Sequence, residues 1–252
     1  MGGVVGRVGD EGRGVPTILE MVNHTRLDCV IGAAAGMRQG VAQATHHAAH
    51  RSAFGKRLID QPLMQNVLAD LCLESEAATA AMARLARAYD AGRSEREQHF
   101  ARVATAVVKY WVCKRWPAHA AEALECLGGN GYVEESLMPR LYREAPLNSI
   151  WEGSGNVICL DVLRAMARGP EVIEAFFAEL DEGRGGDRRL DEYVGALRRD
   201  LGEFEAIETR ARGLVERMAL ALQAALLVRH GDQAVADAFC ASRLTGDRKS
   251  VV

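Results

Sequence analysis

The chain has 252 residues, of which 48% are hydrophobic and 26% are charged, and its formal net charge is −3. This balance is typical of a globular protein and excludes a general electrostatic attraction to nucleic acid or to an anionic membrane. No apolar run approaches the ~20 residues of a membrane-spanning helix, and the N-terminus lacks the apolar core of a signal peptide. We therefore expect a cytoplasmic protein that does not contact a membrane.

The six cysteines form no CxxC pair and lie mostly among apolar residues. A free cysteine in such surroundings behaves as a small hydrophobic side chain, and this spacing predicts neither a zinc site nor a redox motif. His46 and His50 lie one helical turn apart, but no carboxylate lies near them in the sequence. We therefore expect no metal site.

The first long helix is predicted over residues 16–51, where apolar side chains recur at helical spacing. Gly32, Gly36 and Gly40 lie four residues apart on one face of this helix. Each glycine costs a helix about 1 kcal/mol relative to alanine, so three on one face indicate a neighbour that approaches closely. Residues 1–15, rich in glycine and valine, are predicted to be a strand end followed by a turn.

Three further helices are predicted over 62–91, 95–127 and 154–169, with an irregular glycine-containing segment between the last two. Three long helices and a shorter one predict an all-α, up-and-down four-helix bundle. The charged, glycine-rich stretch 179–189 marks a boundary, beyond which more helix is predicted over 190–243. We therefore predict a bundle over 16–170, followed by a smaller helical extension over 171–252.

Two segments near predicted helix ends have residues suited to a ligand. "HRSAFGKRL", residues 50–58, offers the cation of Arg51 and the aromatic face of Phe54, which suit a pyrophosphate and a flat ring. A helix end with a buried Phe explains the same residues. "ECLGGNGYVEE", residues 125–135, contains Gly128 and Gly129, whose backbone can approach a ligand closely but can equally end a helix.

The third segment, "LYREAPLNSIWEGSGN" at 141–156, places Glu152 between an indole and a run of small residues. Ser154 is predicted to cap the fourth helix, whose first amides attract negative charge. Glu152 is then either part of an ordinary helix start or a general base on an exposed turn beside a flat ligand. The residues alone leave both alternatives open.

These three segments, in this order, resemble the C-terminal helical domain of the acyl-CoA dehydrogenase family. The sequence "MPRLYREAPLNSIWEGSGNVICLDVLR" is similar to that of the alkylation-response, AidB-type branch of this family. The resemblance covers about residues 5–170. It implies an FAD-dependent oxidoreductase that dehydrogenates an acyl-CoA or related thioester, as a homodimer or homotetramer. Family members have an N-terminal helical domain and a β-domain ahead of this region, so residues 1–15 are interpreted as a remnant of that β-domain.

The resemblance implies that Glu152 is the catalytic base, which removes the α-proton while the flavin accepts the β-hydrogen as hydride. Some family members place the base on the first long helix, where this chain has Thr25. Glu125 stands where the family commonly has Gln, so it can accept from a ribose hydroxyl but cannot donate. Contacts to FAD are implied for Arg51, Phe54, Glu125, Gly128, Gly129, Ile150, Trp151, Gly153, Ser154, Gly155 and Asn156, those before residue 130 serving the FAD of a neighbouring subunit.

An alternative function is a DNA-associated protective flavoprotein with little turnover, because AidB-type proteins are associated with double-stranded DNA through their C-terminal region. Residues 181–217 contain eight Arg against ten Asp and Glu, which is also typical of a solvated helix surface. The candidate phosphate contacts are Arg164, Arg188, Arg189, Arg198 and Arg199. The run "KYWVCKRW", which begins at Lys109, suits either stacking on nucleic acid or a bundle face with a cationic rim.

Overall fold

The computed structural model describes residues 6–90, 92–203 and 205–245, and its described part is mostly helical. The helices are α1 Gly14–His50, α2 Pro62–Ala88, α3 Glu95–Glu125, α4 Gly129–Tyr132, α5 Met138–Glu144, α6 Gly155–Arg168, α7 Pro170–Asp181, α8 Arg188–Gly202, α9 Ile207–His230 and α10 Gln233–Arg243. Two-residue strands, β1 Ser52–Ala53 and β2 Lys56–Arg57, pair antiparallel, and 3-10 turns occupy Leu58–Asp60 and Leu147–Ser149. The all-α prediction is confirmed.

Helices α1 and α3 run parallel and in close contact. The thiol of Cys113 donates to the carbonyl oxygen of Cys29 at 3.5 Å. Further along both helices, a Cβ added to Gly40 would lie 3.2 Å from that of Ala123. Both helices therefore advance in the same direction.

Two of the glycines on α1 explain how closely its neighbours approach. A Cβ at Gly36 would lie 2.1 Å from Cζ2 of Trp116, so no side chain can be accommodated there without moving the indole. A Cβ at Gly32 would lie 3.1 Å from the side-chain nitrogen of Asn148. The close approach predicted from the glycine spacing is confirmed.

Helix α2 runs antiparallel to α3. The Tyr89 hydroxyl lies 2.8 Å from that of Thr105, near the start of α3, whereas the His119 ring near its end lies 3.1 Å from the Leu71 carbonyl oxygen. Helix α6 is also antiparallel to α3, because its first turn meets Tyr110 and its middle meets Arg102. The three long helices and the shorter α6 thus alternate in direction, as predicted.

The extension shares one core with the bundle. Helix α9 is apolar and buried over most of its length, and it packs against α2, α3 and α6 of the bundle as well as α7, α8 and α10. The buried apolar side chains of α1–α3 and α6 form one continuous cluster with those of α7–α10. The predicted boundary at residue 170 falls at the junction of α6 and α7, and residues 182–187 form the turn before α8.

Buried ion pairs join the extension to α2. Arg243 on α10 contacts Asp70 and, at 3.0 Å, Glu74. Glu179 on α7 accepts from Arg84 of α2 at 2.7 Å and from an α9 arginine at 2.8 Å. These contacts fix α7, α9 and α10 against the bundle at separate points.

At the N-terminal end, residues 1–5 lie outside the described residues. Residues 6–13 form neither helix nor strand, and α1 begins at Gly14, two residues before the predicted start. The predicted strand end is therefore not present in residues 6–13, where the chain makes turns instead. Among the described residues, no helix has the length and apolar character needed to cross a membrane.

Candidate active site

Glu152 lies on the turn that leads into α6, in a left-handed backbone conformation. Its φ is 57°, and that of Gly153 is 111°. The left-handed conformation costs a non-glycine residue roughly 1–2 kcal/mol of conformational free energy, so contacts with the surroundings must hold it there. At Gly153 a Cβ would also crowd the end of the Ile158 side chain, at 3.0 Å.

Two cationic side chains bind the three consecutive carbonyl oxygens of this turn. Lys109 on α3 donates from Nζ to the carbonyl oxygens of Trp151 at 2.8 Å and Gly153 at 2.6 Å. Arg26 on α1 donates from Nε to the carbonyl oxygen of Glu152 at 3.0 Å. The backbone around Glu152 is thereby tied to both long helices, while its side chain is half-buried.

Arg26 is itself held by a carboxylate on α6. Asp161 accepts from Nη1 of Arg26 at 2.7 Å and from both Nη atoms of Arg102 at 2.8 and 3.2 Å. Burial alone would raise the pKa of Asp161, but the hydrogen bonds and charges of Arg102 and Arg26 hold it below its ordinary value. The carboxylate therefore stays ionised, which keeps Arg26 aimed at the turn.

An apolar surface borders Glu152. The side chains of Trp151 and Ile150 are 51% and 59% exposed. Trp151 is nevertheless fixed in orientation, because its indole nitrogen donates to Asn148 at 3.0 Å and Asn148 donates to the Cys29 carbonyl oxygen at 3.3 Å. An exposed aromatic ring that is held in one orientation beside a carboxylate is better suited to contact a flat ligand or an acyl chain than to contact water.

The start of α6 differs from the prediction in one respect. Ser154 occupies the N-cap position, but within the described residues its hydroxyl makes no capping hydrogen bond, so the predicted side-chain cap is wrong. Ser94 has nearly the same backbone angles and does cap α3, so the backbone conformation of Ser154 does not explain the missing cap. The first amides of α6 therefore donate no hydrogen bond to the hydroxyl of the exposed Ser154.

Two other residues at the start of α6 contact the rest of the protein. A Cβ at Gly155 would lie 3.3 Å from the Tyr110 ring, so this glycine permits close helix packing. Asn156 accepts from Arg212 of α9 at 3.4 Å, and Arg212 also donates to the Tyr110 hydroxyl at 3.2 Å. The extension therefore reaches the candidate site, which the sequence did not indicate.

The second set of predicted ligand residues is exposed. Helix α1 does end here, with Arg51 as its C-cap. Phe54 is 96% exposed and Arg51 lies on the surface, so the buried Phe of that alternative is wrong. Gly128 lies three residues after the end of α3 with φ of 58°, and neither it nor Gly129 has a neighbour within 4 Å of an added Cβ. A cleft of about 790 Å³ borders Gly128 and Glu125. These residues are open to a ligand that needs close access to the backbone.

The two sets lie towards opposite ends of the bundle. Arg26, beside Glu152, and Arg51 are 25 residues apart along α1, which at 1.5 Å per residue is about 38 Å. Gly128 follows α3, whose end lies beside the C-terminal half of α1. One flavin dinucleotide is too short to contact both sets in a single chain.

The candidate DNA contacts do not form a free cationic stripe. Arg189 pairs with Asp187 at 2.5 Å and Asp237 at 2.7 Å. Arg198 pairs with an aspartate at 2.6 Å and lies over the Phe177 ring, and Arg188 lies 3.7 Å from a glutamate. Of these five arginines, Arg164 and Arg199 are the two that are exposed and make no ion pair with another described residue.

The "KYWVCKRW" run is a bundle face. Lys109 and Trp116 are buried, so the alternative of stacking on nucleic acid is wrong for this segment, and Lys109 does not belong to a cationic rim. The spacing contained a signal for this, because Lys109 shares a helical stripe with the buried Ala106 and Cys113. Among the described residues, no group of three or more His, Cys, Asp or Glu side chains is arranged to hold a metal ion.

Comparison with known proteins identifies the family. The model of the acyl-CoA dehydrogenase C-terminal domain matches residues 12–167. The chain belongs to the acyl-CoA dehydrogenase family. It is 42% identical over 233 residues to AidB of Escherichia coli (strain K12), covering 92% of this chain and 43% of AidB. The predicted resemblance to the family is therefore confirmed.

Solved structures of this family agree with the fold. The Caenorhabditis elegans acyl-CoA dehydrogenase ACDH-11, solved in complex with C11-CoA, is 28% identical with a TM-score of 0.82, over 94% of this chain and 46% of that one. A Bacillus anthracis acyl-CoA dehydrogenase complexed with FAD shares the fold with a TM-score of 0.68 at 16% identity, over 92% of this chain and 48% of that one. The chain spans less than half the length of each of these relatives.

Proposed function

We propose that this chain is the C-terminal part of an FAD-dependent oxidoreductase that α,β-dehydrogenates an acyl-CoA thioester, with Glu152 as the base. The observation that carries the proposal is the Glu152 turn. A non-glycine residue is held in the left-handed region by hydrogen bonds to three consecutive carbonyl oxygens, beside a fixed and exposed indole. Backbone strain maintained by its surroundings is common at functional sites.

In this proposal the Glu152 carboxylate takes the proton from the α-carbon of the thioester, and the product has an α,β double bond. FAD supplies the acceptor for the β-hydrogen, which leaves as hydride. Trp151 and Ile150 provide apolar surface for the acyl chain and the ring system. The C11-CoA bound to ACDH-11 supports the thioester as the substrate class.

The exposed residues at both ends of the bundle fit FAD. Ser154, Asn156 and the first amides of α6 would hold one flavin near Glu152. Arg51, Phe54 and the open glycines of residues 128–129 would contact the flavin of a neighbouring subunit, because they are too distant to share the flavin beside Glu152 in their own chain. The proposed protein is accordingly a homodimer or a homotetramer.

The test uses the protein completed with its N-terminal domains and loaded with FAD. An acyl-CoA is added without oxygen, and the bleaching of the flavin absorption is followed in Glu152→Gln and in the parent. Removing a general base lowers such a rate by about 10²–10⁴-fold. Glu144→Gln, at an exposed position on α5, is the control and should match the parent. Equal bleaching by Glu152→Gln and the parent would rule out Glu152 as the base.

The second candidate, a protective role on double-stranded DNA, is favoured by one observation. Arg164 and Arg199 are exposed and lack an ion pair to another described residue. Each phosphate contact contributes about 0.9 to the slope of log affinity against log salt. Replacing both arginines with Gln should therefore lower that slope by about 2 for a labelled duplex, whereas Arg188→Gln should not. An unchanged slope in the double variant argues against this surface.

A further inference from the structure

We infer that Lys109 is a positioning residue for Glu152, because its ammonium group fixes the backbone on both sides of that residue. The inference rests on the proposed function insofar as Glu152 is called a base. The geometry itself is independent of that assignment. Lys109 donates to the carbonyl oxygens of Trp151 and Gly153, the residues immediately before and after Glu152, at 2.8 and 2.6 Å.

The burial of Lys109 argues against a role in packing alone. Lys109 is 1% exposed, and its ammonium group donates to two backbone carbonyl oxygens instead of forming an ion pair with a described carboxylate. Burial lowers the pKa of its ammonium group, because an apolar interior disfavours the charged form. A buried cation is costly unless hydrogen bonds compensate it, and the two turn carbonyls are the partners that do so. A methionine would fill the same space at less cost.

Lys109 and Arg26 have different parts in holding the turn. Arg26 binds only the middle carbonyl oxygen, that of Glu152, at 3.0 Å. Without Lys109 the two flanking carbonyl oxygens lose their cationic donor, and the left-handed angles of Glu152 and Gly153 are no longer enforced from α3. The turn is then free to sample ordinary conformations, in which the Glu152 carboxylate points elsewhere.

The test measures backbone order in this chain by ¹⁵N NMR relaxation. Lys109→Met removes the donor but keeps a side chain of similar length. The control is Lys114→Met, at an exposed position on the same helix. In the parent and in the control, the amide order parameters of Glu152 and Gly153 should lie near 0.85, and in Lys109→Met they should fall below about 0.6. Parent-like order parameters in a folded Lys109→Met would overturn the inference.

A measurement on the parent keeps the inference testable if Lys109→Met does not fold. The chain has four lysines, so ¹⁵N labelling of lysine gives few side-chain ammonium signals. A buried ammonium held by two carbonyl oxygens should exchange its protons slowly and give a resolved signal at neutral pH. The exposed Lys56 and Lys114 should not. Exchange at Lys109 as fast as at the exposed lysines would overturn the inference.

Kinetics of the completed, FAD-loaded protein separate this inference from the proposed function. A small misplacement of a reacting group costs about 10²-fold in rate, so Lys109→Met should lower kcat by that factor with little change in KM. An inactive Glu152→Gln together with a fully active Lys109→Met would refute the positioning role alone. A fully active Glu152→Gln would refute the base, and the order parameters would still decide whether Lys109 fixes the turn.

Discussion

Replacing Arg243 with methionine should destabilise the whole chain, because Arg243 is the cation of a buried ion cluster. It lies on α10, and its side chain is 6% exposed. It contacts Asp70 and Glu74 of α2, whose side chains are each 8% exposed. Methionine keeps much of the apolar stem, so the main change is the loss of charge and hydrogen bonds.

The expected magnitude follows from what the substitution leaves behind. Glu74 keeps an ion pair with Arg115 at 3.1 Å, whereas Asp70 loses its only ion pair among the described residues. Removing one partner of a buried pair costs about 3–5 kcal/mol, because the other charge stays buried without compensation. We expect a loss of about 3 kcal/mol, a large part of the ~5–15 kcal/mol that a folded protein typically has.

Urea unfolding followed by circular dichroism measures this free energy. Arg188→Met is the control, because that side chain is 88% exposed, and its effect should stay within ~0.5 kcal/mol. A double variant, Arg243→Met with Asp70→Leu, removes both charges and should recover much of the loss. A loss below ~1 kcal/mol for Arg243→Met, with no gain from Asp70→Leu, would refute the reasoning.

Three further outcomes are expected. Gly36→Ala should lower stability by about 1–3 kcal/mol in thermal melts, because its Cβ would lie 2.1 Å from the Trp116 ring, whereas Gly213→Ala, where nothing lies within 4 Å, should not. The pKa of Asp161 is lowered in the folded state, so its stabilising effect should be complete above pH ~5 and shrink as the pH falls below ~4; an unfolding free energy of Asp161→Asn that differs from the parent equally at pH 3 and pH 7 would contradict this. Purified alone and dialysed, this chain should show no stoichiometric flavin absorption, because in the proposed site two domains and two subunits hold FAD; a yellow protein would refute this.

The helices could be predicted because their signals are local. For α1 to α3, the apolar periodicity and the prolines and glycines at the helix ends predict boundaries within about three residues of those observed. The ion cluster on α10 could not be predicted in this way. Arg243 and Glu74 are 169 positions apart, and nothing in the sequence around either residue indicates its partner. The continuity of the core through α9 has the same long-range origin.

The candidate site could be proposed from its motifs but not from its geometry. Glu152 could be selected from the sequence motif around it. The strained turn could not be predicted, because glutamate has no preference for the left-handed region. For Lys109 the run "KYWVCKRW" suggests either stacking on nucleic acid or a cationic rim, although the helical stripe of Lys109 contains the buried Cys113. A lysine on an apolar stripe is therefore a signal that the sequence does offer. The partners of that lysine, two carbonyl oxygens more than 40 positions away, appear only in the fold.

The shared core also determines how a role on DNA should be tested. Deleting residues 170–252 would remove α9, which covers apolar faces of α2, α3 and α6. It would also remove Arg212, which contacts Asn156 beside the candidate active site, and Arg243, which compensates Asp70. If the truncated chain failed to bind DNA, the cause could equally be an unfolded or rearranged chain or the loss of phosphate contacts. Substitution of the exposed Arg164 and Arg199 leaves these buried contacts intact, so only such variants separate DNA binding from the integrity of the fold.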